Sequence, residues 1–150
     1  MGMESSQTQQ LADESQVQAL IEAARYDDID DVQTLASMGV SLDSKDSQGR
    51  SALHMAAANG HLGIVKYLIQ NKVDINATNL EKNTPLHWAC LNGHVEVLQT
   101  LIIAGADVTA LNSYDRTPVD EAVSRGKLDV VDAINIAVAE AEVSGVRLAA

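Results

Sequence analysis

The sequence predicts an all-α solenoid: four 33-residue helix-turn-helix units stacked side by side, with a hairpin-like tip between successive units. Three observations carry this prediction. Residues 47–79 align without gaps on residues 80–112, with 11 of 33 columns identical and eight others exchanging one apolar residue for another. The same offset of 33 links His54 to His87, Gly60 to Gly93 and His61 to His94; one step further it reaches Asp120, Ala122 and Gly126, and one step back Leu20, Ala23, Ala24 and Val32. Phe is absent and Trp occurs once, so the core is aliphatic, which suits thin helices meeting closely through Ala. The units span 14–46, 47–79, 80–112 and 113–145, after a disordered segment 1–13 and before a short tail 146–150. That fills 150 residues with one domain.

In the first unit, Leu20, Ala23 and Ala24 mark a first helix and Val32 a second. In the second, Ser51 is placed to cap a helix over 52–59, and Gly60 to end it, because a left-handed residue after a helix is least costly as Gly. Thr84-Pro85 and Thr117-Pro118 start the corresponding helices: Thr supplies a capping oxygen, and Pro at the first helical position loses no useful N–H. The second helix of a unit starts at His61 or His94. It carries Leu62, Val65, Leu68 and Ile69, or Val95, Leu98, Leu101 and Ile102, at helical spacing. Gly105 stops it in the third unit, and Lys72 does so at some cost in the second. Tips are expected near 44–51, 77–84 and 110–117, with Gly49, Lys82 and Asp115 in a column that favours positive φ.

Thr84, Pro85, Leu86, His87 and Ala89 form T-P-L-H-x-A, and at a 33-residue spacing the chain is identified by it as a member of the ankyrin-repeat family. The second unit departs from the motif at Ser51 and Ala52, the fourth further at Val119 and Asp120, and the first keeps only Leu20, Ala23 and the apolar stripe. Drift in the first and fourth is expected of end units, which face water on one side. The resemblance implies a concave surface of tips and first helices where partner-facing columns vary. Carried over, it gives Ser47, Gln48 and Arg50, then Leu80, Glu81 and Asn83, then Tyr114 and Arg116 at the tips. On the helices it gives Tyr26, Met55, Asn59, Trp88, Leu91, Asn92, Glu121 and Arg125. Met55, Trp88, Leu91 and Tyr114 would form an apolar patch, although Trp88 can instead pack between units. The strings around Met55–Asn59 and Trp88–Asn92 also resemble the small fungal ankyrin-repeat chaperones of a small-subunit ribosomal protein, without their long insertion or acidic tail.

Catalytic chemistry is not indicated. The four histidines fall in two repeat columns and read as braces of turns; no Cys or carboxylate cluster around them has zinc-ligand spacing. Cys90 stands in an Ala column and reads as a small buried residue, and no disulfide can form with one cysteine. No phosphate loop or nucleophile elbow occurs, so the expectation is a non-enzyme without cofactor or metal.

The net charge of −11 is uneven, with −8 falling in residues 1–46. Such a field repels phosphate backbones and favours a basic protein as partner. Asp27, Asp28, Asp30 and Asp31 are the candidates for steering one, and a solvated helix start is the alternative reading of the same run. No apolar run reaches membrane-spanning length, and residues 1–10 have neither the basic nor the apolar region of a secretory signal. Met1–Ser6 fits the N-myristoylation pattern, but the neighbouring charge is acidic, so the segment is read as a disordered start. A monomeric cytoplasmic or nuclear protein that binds a basic client, or an adaptor in signalling or transcription, is expected.

Overall fold

Eight helices in four consecutive pairs build the described residues of the chain in a computed structural model. It describes residues 2–145, with side chains from Glu14 onward. The pairs are α1 (Gly2–Arg25) with α2 (Ile29–Ser37), α3 (Ala52–Ala58) with α4 (Leu62–Gln70), α5 (Pro85–Asn92) with α6 (Val95–Ile103), and α7 (Pro118–Ser124) with α8 (Leu128–Val143). α1, α3, α5 and α7 stack in one layer, and α2, α4, α6 and α8 in the other. The segment 1–13 and the tail 146–150 lie outside the described residues, apart from the helical course of α1 back to Gly2.

The repeat columns become layers of core. Leu20, Leu53 and Leu86 are at most 1% exposed, and Ala24, Ala57 and Cys90 are fully buried between them. Val32, Val65 and Leu98 do the same for the second helices. Small residues let the first helices approach closely, and the layer then repeats with the sequence.

Helix starts follow one device. Ser51, Thr84 and Thr117 each accept the backbone N–H of the third helical residue, whose side chain accepts the cap residue's own N–H. His54 and His87 close this box in the second and third units, with N–H to Nδ1 distances of 3.2 and 3.1 Å. Asp120 closes it in the fourth at 2.9 Å, so the change from His keeps the cap.

The turn columns hold left-handed residues whether or not they are Gly. Asp27 at φ 61° occupies the position of Gly60 and Gly93; Lys72 at 65° matches Gly39 and Gly105; Lys82 and Asp115 match Gly49. At Gly60 the requirement is also steric, since a Cβ there would stand 2.6 Å from the His94 ring.

Two boundaries differ from expectation. His61 and His94 are the residues preceding α4 and α6 rather than their first helical ones. And α8 runs to Val143, 16 residues against nine in α2, α4 and α6. Its position for stopping is Val138, in the column of Gly39, Lys72 and Gly105; a β-branched residue resists positive φ, so the helix continues to the left-handed Gly145.

The tips stand in line. Backbone bonds from Asp46 N–H to Arg50, Asn79 to Asn83 and Asn112 to Arg116 close each one, at 3.0 to 3.1 Å. Leu80 N–H to Gln48 and Ser113 N–H to Glu81 join neighbouring tips at 3.1 and 2.8 Å.

Ala56 and Ala89 are fully buried in the stacked layer, whereas Ala58 is half-buried at the helix end. Ala56→Leu or Ala89→Leu should each cost roughly 1–3 kcal/mol through overpacking, and Ala58→Leu much less. Urea midpoints of the three variants check this; equal losses would refute the face assignment.

Candidate partner-binding surface

Each tip is organised by one side chain at its start. Asp46 Oδ1 accepts the N–H groups of Gln48 and Arg50, Asn79 Oδ1 those of Glu81 and Asn83, and Asn112 Oδ1 those of Tyr114 and Arg116, all within 2.9 to 3.1 Å. Burial raises the Asp46 carboxyl, but hydrogen bonds from Arg50 and Gln48 outweigh it and hold the group below its ordinary value.

Histidines then fasten one unit to the next. Nε2 of His54 donates to the Asn83 carbonyl at 2.8 Å, and Nε2 of His87 to Arg116 at 2.9 Å, so each pins the tip that follows. His61 and His94 reach the other way, to the carbonyls of Arg25 and Ala58, where helices end with unpaired oxygens. In His54 and His87, Nδ1 accepts a backbone N–H, so the ring is neutral with its proton on Nε2. Burial pushes the His54 imidazole down to about 4 and lowers that of His87.

Between the third and fourth units these constraints leave a groove of about 410 Å³. Trp88 and Leu91 from α5 and Tyr114 from the last tip supply its apolar wall. Glu81, Asn83, Asn112, Arg116 and Glu121 complete it. Trp88 is half-buried and meets the His54 ring edge-on, centroids 5.3 Å apart, so the packing role and the exposed role coexist in one side chain. Tyr114 is 66% exposed, and hydrogen bonding to the Glu81 carboxylate raises its phenol above the ordinary value. Glu121 is buried; its Oε1 accepts from Asn112 Nδ2 at 3.0 Å and lies 3.9 Å from Arg116 Nη1.

Seven residues expected at a binding surface therefore gather here: Glu81, Asn83, Trp88, Leu91, Tyr114, Arg116 and Glu121. Asn112 was not among the sequence candidates. It is buried, and its amide donates to both Asn83 Oδ1 and Glu121 Oε1, which ties the two walls together. The available signal was the polar column Asp46, Asn79, Asn112.

The other candidates lie elsewhere. Met55 corrects the expected patch: its flexible thioether side chain is drawn into the core, 6% exposed, where the bulkier indole of Trp88 in the same column stays half-buried. The Asn59 amide donates to the Met55 carbonyl, and the Asn92 amide crosses units to the Ala58 carbonyl. Arg50 is held at 2.7 Å by Asp46. Tyr26 and Leu80 are exposed and outside the groove, as are Ser47, Gln48 and Arg125.

The acidic run divides. Asp27 forms the left-handed turn, with Oδ2 3.9 Å from His61 Nδ1; Asp28 caps α2 through the Asp31 N–H; Asp30 and Asp31 stand exposed in its first turn. Cys90 is buried, which pushes its thiol up to about 12. Among the described residues no group of three or more His, Cys, Asp or Glu is gathered to hold a metal, and no helix is long and apolar enough to cross a membrane.

The pattern of the family described as ankyrin repeats (3 copies) matches residues 20–112 and 73–141. The chain belongs to that family, whose repeats are protein–protein interaction modules and typically non-catalytic. It is 48% identical over 52 residues to an L-asparaginase of Dirofilaria immitis, 35% of this chain and 9% of that protein. It is 41% identical over 51 residues to the mitochondrial liver-isoform glutaminase of Rattus norvegicus, 34% of this chain and 8% of that protein. The chain thus spans less than a tenth of the length of these curated relatives, and their named activities stay with them.

The buried histidines predict acid sensitivity. Between the ordinary value of 6.5 and about 4, the unfolded chain takes up a proton that folded His54 refuses. Stability is therefore full above that window and falls as pH drops through it, by about 1.4 kcal/mol per pH unit for one such group. Urea midpoints at pH 7 and pH 5 measure the fall, and His54→Gln should flatten it.

Proposed function

We propose that this chain is a non-catalytic clamp whose acidic concave side grips a basic protein. The observation that carries the reading is the groove itself: Trp88, Leu91 and Tyr114 stand beside the carboxylates of Glu81 and Glu121, on a chain of net charge −11. Apolar contact supplies affinity, with Trp and Tyr the types that most often dominate binding energy. Carboxylates select a cationic partner and speed its encounter.

A dedicated chaperone of a basic ribosomal protein, in the cytoplasm or nucleus and acting as a monomer, is the narrower form of this reading. Its support is chemical: a strongly basic client needs its charge screened and its apolar segments covered until it assembles. The acidic first unit is two units away from the groove. At roughly 8–10 Å between neighbouring helices, that exceeds the screening length of about 8 Å at physiological salt. Asp30 and Asp31 therefore act on approach, or on a client long enough to span the stack.

The partner is to be isolated from native extract and identified by mass spectrometry, then measured as a purified protein. Trp88→Ala should weaken binding by roughly 2 kcal/mol, mainly through faster dissociation. Asp30→Lys with Asp31→Lys should slow association, with the loss shrinking as salt rises. These two positions leave the Asp28 cap and the Asp27 turn intact. An acidic partner, or an affinity indifferent to both changes, would leave only a generic adaptor.

A further inference from the structure

Resting on the clamp reading, we infer that the groove between the third and fourth units is a socket for one arginine side chain of the partner. Three features of the site point to a guanidinium. Glu121 is only 9% exposed, yet Asn112 Nδ2 is the one donor within hydrogen-bond distance of its carboxylate among the described residues. An ionised carboxylate offers about four acceptor sites, so Glu121 keeps acceptor capacity that opens onto the groove and is free for a ligand.

The cation nearest to it does not fill that capacity. Arg116 Nη1 stops 3.9 Å from Glu121 Oε1, beyond hydrogen-bond distance, and its side chain is 52% exposed. With Glu81 and Glu121 against Arg116, the groove lining carries a net charge of −1. A further cation is attracted, and by coming closer than Arg116 it displaces a loose ion pair for a hydrogen-bonded one.

The wall is aromatic as well as acidic. Trp88 and Tyr114 line the same groove as the two carboxylates, which themselves come from different elements, Glu81 from a tip and Glu121 from α7. A guanidinium stacks on aromatic faces and presents five donors in a rigid fork, so it can address two separated acceptors together. An ammonium is a compact, strongly hydrated point charge and gains less from such a wall. A volume of about 410 Å³ suits one long side chain with its water and is small for a folded element.

The chain carries its own reporter, since Trp88 is its single tryptophan. Blocked tripeptides Gly-X-Gly, with X as arginine, lysine, citrulline or glutamate, are titrated into the full chain while Trp88 fluorescence is followed. The arginine peptide should bind at least threefold more tightly than the lysine one, and the uncharged citrulline and acidic glutamate peptides should leave the signal unchanged. Glu121→Gln keeps an oxygen for the Asn112 amide and should weaken the arginine peptide fivefold or more. Arg116→Gln removes the competing cation and should strengthen it, a gain that misfolding would not produce.

Equal binding of arginine, lysine and citrulline, or an arginine affinity unmoved by Glu121→Gln in a variant with unchanged melting temperature, overturns the socket. If that occurs while a basic native partner still depends on Trp88, the clamp stands without the socket. If the arginine preference holds but the native partner proves acidic, the clamp falls and the socket is a property of the groove alone.

Discussion

Every feature of this molecule depends on the contact between one helix pair and the next. A single pair of helices of seven to nine residues has too little apolar surface to offset the entropy of ordering it. Stability comes from stacking, which buries Leu53, Leu86 and the Ala and Cys residues of neighbouring layers in one continuous core. Directional bonds set the register of that stack: His54 and His87 reach forward to the next tip, His61 and His94 back to the previous helix end. Because the His54 and His87 rings are buried and neutral, the array trades tolerance of acid for a fixed spacing between units.

The two ends of the stack are not alike. In the column where Ala24, Ala57 and Cys90 are fully buried, Val123 of the fourth unit is 54% exposed, since among the described residues no helix stacks on the far side of α7. The drift expected of an end unit is therefore incomplete: Asp120 has replaced a buried histidine, yet the outer column remains apolar. The first unit carries the acidic run instead, and there Asp27 and Asp28 serve the turn and the cap before any partner is considered.

The groove follows from the same stacking. Its walls come from two consecutive tips, one first helix and the start of the next, and Asn112 holds them at a fixed separation by bonding to both sides. A groove made in this way is rigid, because its parts are also the parts that hold the units together. Trp88 shows the economy of the arrangement, with one edge against His54 and the remainder facing the groove.

The amino-acid sequence by itself determined the period, the four helix pairs and the tips at Gly49, Lys82 and Asp115, since these follow from local chemistry: Thr-Pro at a helix start, Gly or a strained Lys after a helix end, apolar residues at helical spacing. The tip and helix columns that assemble the groove were legible for the same reason. What only the tertiary structure decided is which of those columns open onto the groove and which are buried in the core. Met55 and Trp88 share a column and both of their helices are flanked on two sides, but the narrow, flexible thioether side chain is buried in the core whereas the larger indole is half-buried and lines the groove. The run-on of α8 past Val138 is a local effect, visible in the sequence once the stop column is compared across all four units. The pairing of Glu121 with Asn112, nine residues apart, is not local: it depends on how the last tip folds over α7, and no periodicity along the chain records that distance.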